Sequence, residues 1–392
     1  MPGPLDGIRI LDFTRYQQGA YATVMLSDLG ADVLKVEPRE GDPGRNLWRQ
    51  SDGWCGYFEA HNRNKRSFTV DVRRPEGREI ILKLVPRYDV VTDNFRPGVM
   101  ARLGLDYASL CRVNPRVITA SASAFGPEGP YTARPGFDSI GQAMGGLMSV
   151  QGGGPDEPPQ DVMAGLADQV GAMVFALGIA AAVIARERQG IGQHVDASLL
   201  GSQVALQAFQ LTNMMRDGYQ QATPRRWLPT FAYYPCADGR WISLGSYDPK
   251  WWEPLCRTLG RPDLFADERF RDLDRRQDNR TALLAELDAT FQTRPRDQWL
   301  DLLTAADIPC GPVHDYAGVI TEPQVLINEF ITSLEHPTFG KVGVVGTPIK
   351  LSRTPAGPKH CAPELGRHTE ELLLALGYDA GQISQLKTAQ VI

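Results

Sequence analysis

The chain predicts an α/β fold, with a parallel sheet in its N-terminal half and a smaller α+β unit after it. Three observations carry this reading. A strand-like, a helix-like and a second strand-like run follow one another within residues 8–38. The alternation continues to about residue 126. From Phe231 the character changes to a hairpin and helices rich in Arg, Asp and Trp. Strand, helix, strand in so short a span is a βαβ unit, and such units build parallel sheets. At 392 residues the chain exceeds one ordinary core, so two domains are expected.

Taken in order, IRILDFT (8–14) reads as a buried strand with a polar exit. YATVMLSDLG (21–30) has helical spacing with Gly30 as its stop, and ADVLKVEP (31–38) is the second strand. PEGREIILKLVPRYD (75–89) reads as a helix, VVTDNF (90–95) as a strand end, YASLCRVNP (107–115) as helical and RVITASASAFG (116–126) as a strand entering a loop. Ligands of open parallel sheets bind beyond the carboxyl ends of strands, so the exits Thr14–Gly19, Glu37–Arg45, Asp93–Gly98 and Ser121–Asp138 draw attention. QGGGPDEPPQ (151–160) is loop by composition, and an uncharged run from Gly171 to Ala185 reads as a buried helix ending near Arg188. GIGQHVDASLL gives a turn and a short strand, and SQVALQAFQLTNMM (202–215) is helical.

The polar connector 217–230 marks a boundary. FAYYPCADGRWISLGS (231–246) reads as a hairpin turning at Asp238-Gly239. Helical stretches follow near 250–259 and 278–305, and IPCGPVHDY (308–316) punctuates the end of this unit. VGVVGTPIKLS (342–352) is strand-like, and residues 368–392 hold two short helices. The resulting plan is a large domain over 1–225, a small α+β domain over 226–330, and a segment 331–392 that returns to the large domain.

Composition narrows the function. Charged residues make up 22% and apolar residues 42%, ordinary values for a soluble globular protein. A net charge of −5 argues against a nucleic-acid binder. The six cysteines are scattered without a C-x-x-C pair, and the six histidines lack H-x-x-x-H spacing, so neither a disulfide framework nor a metal site is expected. The N-terminus has no secretory pattern, and the 171–185 run is shorter than the roughly 18 apolar residues of a membrane span. A cytoplasmic enzyme with no membrane partner is the expectation. The loop TRYQQGAY lacks G-x-G-x-x-G, and neither G-x-S-x-G nor a P-loop occurs, which disfavours dinucleotide, serine-hydrolase and nucleotide-triphosphate chemistry.

What remains is one carboxylate and several arginines. Asp168, in GLADQVGAM (165–173), falls at the foot of the apolar helix. Two roles fit it there: an N-cap, or an anion stabilised by the helix dipole and used in chemistry. The run HNRNKRSFTVDVRRPEGR (61–78) is either a solvated charged face or an anion site, since guanidinium groups suit phosphate.

In order along the chain stand PLDGIRILDFT, GADVLKVEP with GDPGR, NRNKRS, DNFRPGVMARLGL, NPRVITASASAFGPEGPY, RPGFD, GLADQVGAM, RQGIGQHVDASL and IPCGPV. This ordered set is similar to the family III CoA-transferases, also called CaiB/BaiF, and the resemblance covers essentially the whole chain. It implies a Rossmann-like large domain, an inserted small domain and an interlocked, ring-shaped homodimer. It also implies an acyl-CoA and a carboxylic acid as substrates, with coenzyme A used as a substrate rather than a resident cofactor, and no metal.

The resemblance makes Asp168 the nucleophile, forming aspartyl anhydride and aspartyl-CoA intermediates. It places Gln17 and Gln18 near the nucleotide and thioester, and Arg39 near the adenine and phosphates. Val70, Asp71, Val72 and Arg73 would line the adenine, Asn94, Phe95 and Arg96 would follow CoA, and Arg102 would bind phosphate. Arg134, Phe137 and Asp138 would form a lid-like segment over the pantetheine. LGSYDPKWW (244–252) stands where the formyl-CoA branch carries a glycine-rich loop, so a glycine lid is not expected. The related 2-methylacyl-CoA racemases place a His in a G-H-D setting as second proton carrier. Phe137 of GFD stands there, and Phe moves no proton, so transfer is preferred over isomerisation. Trp227, Tyr233, Tyr234 and Trp251 hint at a bulky or apolar acid.

Overall fold

The computed structural model describes residues 2–154, 156–218 and 226–392. Residues 219–225 of the expected boundary connector lie outside that set. By packing, the chain divides into two units, one within Met1–Gly152, Pro158–Gln220 and Pro323–Ile392, the other within Gly153–Glu157 and Gln221–Glu322.

The first unit is built on six parallel strands: β1 (Arg9–Asp12), β2 (Asp32–Glu37), β3 (Arg66–Thr69), β4 (Val90–Asp93), β5 (Ile118–Ser123) and β6 (His194–Ser198). Their spatial order is β3-β2-β1-β4-β5-β6. The chain therefore runs outward from β1 in one direction and from β4 in the other. The loops leaving β1 and β4 diverge and open a crevice between them, where doubly wound sheets hold their ligands.

Alternation along the strands feeds two cores. Ile10, Val33, Val90 and Ile118 face one side, against the helices Gln18–Asp28 and Leu166–Gln189, through Ala22, Leu26, Phe175 and Ile179. Leu11, Leu34, Phe68 and Val91 face the other side, against Ile80, Ile81 and Leu84 of the helix Pro75–Leu84. Leu373 and Ile383, from the helices Thr369–Ala375 and Ala380–Thr388, complete that second core, so the C-terminal segment belongs to this unit. The last helix starts with a full capping box between Asp379 and Gln382.

The helix Leu166–Gln189 begins five residues before the uncharged run that revealed it. At 24 residues it is long and apolar enough to cross a membrane by length and composition, and 44% of its most apolar window is buried inside the protein. The expectation of a run too short to span is corrected in that sense. Its sheet-facing side buries Ala172, Phe175, Ile179 and Val183, and the opposite side leaves Met173, Leu177 and Ile184 more than half exposed.

Charge is also built into this unit. Lys35 of β2 pairs with Asp42 at 2.7 Å, and Lys65 pairs with Asp12 at 2.9 Å, all four being buried. Arg63 pairs with Asp28 in the same way. The run 61–78 is therefore neither a uniformly solvated face nor a free anion site. Arg63 and Lys65 are internal, while Arg66 and Arg73 hold Asp32 and Asp71 nearer the surface. The strand-like stretch at 342–352 begins within β11 (Gly340–Val345), which pairs in a hairpin with β10 (Ile331–His336), a strand the sequence did not single out.

The second unit carries a three-stranded antiparallel sheet in the order β7-β8-β9, from Tyr233–Pro235, Trp241–Leu244 and Cys310–Pro312. The hairpin turns at Gly239, whose φ of 74° suits glycine. The stretch read as punctuation, IPCGPV, instead supplies β9. Tyr234 is fully buried and stacks on Phe291 at 4.8 Å, and Trp251 donates from its indole nitrogen to the carbonyl of Asp307. These two aromatics support the core of this unit rather than presenting a pocket wall.

Candidate active site

The crevice between the β1 and β4 exits is a cleft of about 380 Å³. Arg15, Tyr16, Gln17 and Gln18 line it from the first loop, Asn94, Phe95 and Arg96 from the second. Arg134, Phe137 and Asp168 close it. Seven of the residues carried over from the resemblance thus meet in one place with Asp168.

Local chemistry fixes the two loops. The Asn94 side chain acts as a surrogate strand partner: it accepts from the Arg15 N–H at 2.8 Å and donates to the Arg15 carbonyl at 2.7 Å. Asp93 is buried, accepts from Ser121 Oγ at 2.7 Å and from the Phe95 N–H at 3.0 Å, and burial pushes its carboxyl up to about 6. Tyr16 sits at φ 60°, a left-handed conformation that costs a non-glycine residue energy. Its N–H donates to Asp42 Oδ1 at 3.3 Å, and Asp42 is itself held by Lys35. The buried Lys35–Asp42 pair therefore supports the strained loop.

Gln17 precedes the helix Gln18–Asp28 and donates from Nε2 to the Ala164 carbonyl at 3.2 Å. This contact ties the first loop to the foot of the Asp168 helix. Gly165 makes it possible: a Cβ there would lie 2.5 Å from Gln17 Nε2, and its φ is 69°. Gln18 is buried against Gly171, where a Cβ would lie 2.7 Å from its Nε2.

Asp168 is the third residue of its helix, and Gly165 occupies the N-cap position. The N-cap role is corrected accordingly. The capping acceptor comes from elsewhere: Asp138 Oδ1 accepts the Asp168 N–H at 3.0 Å. Asp138 Oδ2 takes the Gln142 amide at 2.7 Å, and buried Gln142 exchanges two hydrogen bonds with the backbone of Val162. Asp168 is half-buried, and among the described residues it has no ion-pair partner. Burial, then the charge of Asp138, push its carboxyl up to about 7. The expected stabilisation of the anion is thus outweighed. Tyr57, which the sequence did not single out, lies close enough for Asp168 to raise its phenol further after burial has done so.

Other carried-over residues lie apart. Val72, Arg73 and Arg102 line a separate groove of about 430 Å³ with Arg74 and Arg78. Val70 points into the core at 2% exposure, Asp71 is held by Arg73 at 2.8 Å, and Arg39 is exposed. Phe137 is exposed and meets Tyr16 edge-on at 6.0 Å. Among the described residues no group of three His, Cys, Asp or Glu side chains is disposed to hold a metal ion.

A carboxylate of raised basicity in a cleft lined by amides, aromatic rings and arginines is equipped to attack an electrophilic carbonyl carbon of an anionic ligand. The model of the family described as CoA-transferase family III matches residues 5–369. A succinyl-CoA–D-citramalate CoA-transferase of Chloroflexus aurantiacus is 32% identical, over 100% of this chain and 98% of its own. A succinyl-CoA:mesaconate CoA-transferase of Haloarcula hispanica is 38% identical, over 97% and 98%. The crystal structure of a CaiB/BaiF family protein from Brucella suis superposes with a TM-score of 0.86 at 33% identity, covering 96% of this chain and 100% of that one.

Proposed function

The chain belongs to the family III CoA-transferases, and from that premise we propose that it moves CoA from an acyl-CoA donor to a carboxylic acid acceptor with Asp168 as nucleophile. The observation that carries the assignment is the carboxylate of Asp168, without a counter-ion among the described residues, in the cleft formed by the diverging β1 and β4 loops.

In this mechanism an Asp168 carboxylate oxygen attacks the thioester carbonyl carbon. The C–S bond breaks, leaving a mixed anhydride and CoA thiolate. The thiolate attacks the aspartyl carbonyl, releases the donor acid as its carboxylate and forms aspartyl-CoA. The acceptor carboxylate then attacks that thioester, giving a second anhydride and thiolate. Attack of the thiolate on the acceptor acyl carbon yields the new acyl-CoA and regenerates Asp168. No proton is consumed overall, so the residue needs only to begin ionised. Phe137 stands in the cleft and cannot carry a proton, which favours transfer over the racemase reading.

The finer architecture is part of the same proposal: a Rossmann-like large domain (1–225), an inserted small domain (226–330), a returning segment (331–392) and an interlocked dimer. The exposed stripe of Met173, Leu177 and Ile184 supports association, because apolar side chains in a row along one helix face favour a partner surface. Sedimentation giving a monomer at micromolar concentration would remove that part. Six unpaired cysteines suit the reducing cytoplasm proposed as its location.

The mechanism is tested with a panel of acyl-CoA donors plus hydroxylamine, followed by peptide mass mapping. A hydroxamate on Asp168 is the expected product. Turnover without any modification of that peptide, by a protein whose Asp168→Ala variant stays active, would refute it.

A further inference from the structure

The cleft holds three guanidinium groups in different surroundings. Arg96 and Arg134 are exposed, and Arg134 lies over the Tyr131 ring at 4.0 Å. Arg15 is half-buried, its guanidinium 5.1 Å from the centre of the Phe95 ring. None of the three has a carboxylate partner among the described residues. The Arg15 backbone is locked by the reciprocal hydrogen bonds to Asn94, and two residues further on Gln17 reaches the foot of the Asp168 helix. Arg15 thus carries an uncompensated charge on a rigid mount, deeper than the other two, in the cleft of the nucleophile. It does not neutralise Asp168, whose carboxyl is raised with no cation to offset it.

A CoA thioester presents its phosphates at the far end of the pantetheine arm, where exposed arginines suit solvated anions. A half-buried guanidinium discriminates more sharply, because an anion that meets it there is partly desolvated. A dicarboxylic acyl group supplies such an anion at a fixed reach from the reacting carbonyl. Two of the relatives are named for succinyl-CoA together with D-citramalate or mesaconate, both dicarboxylic.

Resting on the transferase reading, we infer that Arg15 is the specificity-determining residue of this site, and that it receives the second carboxylate of a dicarboxylic acyl group while the first is joined to CoA. An acyl chain of the same length that ends in a methyl group leaves the guanidinium unpaired and is disfavoured.

The test measures binding, which needs no turnover. The full chain and its Arg15→Gln variant are titrated calorimetrically with two stable thioethers, S-(3-carboxypropyl)-CoA and S-butyl-CoA. The wild type is expected to prefer the carboxylate-bearing ligand by about tenfold or more, as a charged hydrogen bond in a half-buried site would give, and Arg15→Gln to lose that preference while binding S-butyl-CoA within about threefold of wild type. Equal weakening of both ligands would assign Arg15 to the CoA moiety and overturn the inference, as would a preference absent from the wild type or retained in the variant. Matching melting temperatures of the two proteins exclude misfolding as the cause. Failure of the Asp168 hydroxamate to form would count against the mechanism alone, since the ligand preference is read without chemistry.

Discussion

Asp138 Oδ1 accepts the backbone N–H of Asp168 at 3.0 Å, so one carboxylate is tethered to the peptide that carries another. The tether orients the helix start and also brings a like charge toward the Asp168 carboxylate. Burial and that charge act together to keep the Asp168 carboxyl protonated to higher pH than an ordinary aspartate.

The first consequence is a pH profile. Asp168 must be ionised to attack, so kcat/KM should rise with pH through an apparent value of about 7 and level off above it. Asp138→Asn keeps an acceptor oxygen but removes the charge, and should move that limb to lower pH without returning it to that of a free aspartate, because burial is the larger cause. Initial rates from pH 5 to 9 for both proteins decide it. An identical limb in the two would show that Asp138 does not set the ionisation.

The same shift has a stability sign. A carboxyl raised in the folded state binds its proton more tightly there than in the unfolded chain. Its contribution is favourable at low pH and is lost as pH rises from about 4 through about 7. Asp168→Asn should therefore abolish transfer, by about 10⁴-fold or more, yet melt higher than wild type at pH 8 by about 1–2 kcal/mol equivalent. At pH 5 the gap should be smaller, and it should close toward pH 4 and below, where the unfolded carboxyl is protonated too. A variant less stable at pH 8 would contradict the assigned shift.

Gly165 should accept a side chain only at a cost. Alanine there places a methyl 2.5 Å from Gln17 Nε2 on a backbone with φ 69°. We expect Gly165→Ala to cost about 1–3 kcal/mol and to raise KM for acyl-CoA as the first loop shifts. Chemical denaturation and steady-state kinetics read the two effects separately. A variant that keeps wild-type stability and KM would show that the Gln17–Ala164 contact is dispensable.

The pair Lys35–Asp42, 2.7 Å apart and buried, should be strongly asymmetric to mutation. Lys35→Met strands a buried carboxylate and should lose about 3–5 kcal/mol, whereas Lys35→Met with Asp42→Asn should recover much of it. A double variant no more stable than the single one, by urea midpoint, would mean that burial of the pair is not what the single change disturbs.

Much of the large unit was legible because its signals are local. Ile10, Leu11, Val33 and Leu34 lie in short apolar runs, and Gly30 stops the first helix where the helical spacing ends. The region around Asp168 was visible from the apolar run beside it. The true helix start was not, since it depends on Gly165 in a left-handed conformation and on a carboxylate 30 residues away. Nothing local marks Lys35 and Lys65 as internal, and only the fold brings Asp42 and Asp12 to them. The strand Cys310–Pro312 lies in a stretch that reads as the punctuation ending the small unit, because proline and glycine normally interrupt strands. Arg15 lay within a flagged loop, but nothing in its neighbours distinguishes it from a surface arginine until Phe95 and Asn94 fold against it.

One feature of the cleft bears on the hazard of the chemistry. Activated acyl groups react readily with primary amines, and a mixed anhydride on Asp168 would be a potent acylating agent toward any lysine within reach. Every cation lining this cleft among the described residues is an arginine, whose guanidinium stays protonated and is a poor acyl acceptor, while Lys35 and Lys65 are walled off in the interior. Such an arrangement would offer the proposed intermediate no internal trap. Introducing one, as Arg15→Lys, should lead to progressive gain of acyl mass on residue 15 and inactivation during turnover, a fate the natural lining avoids.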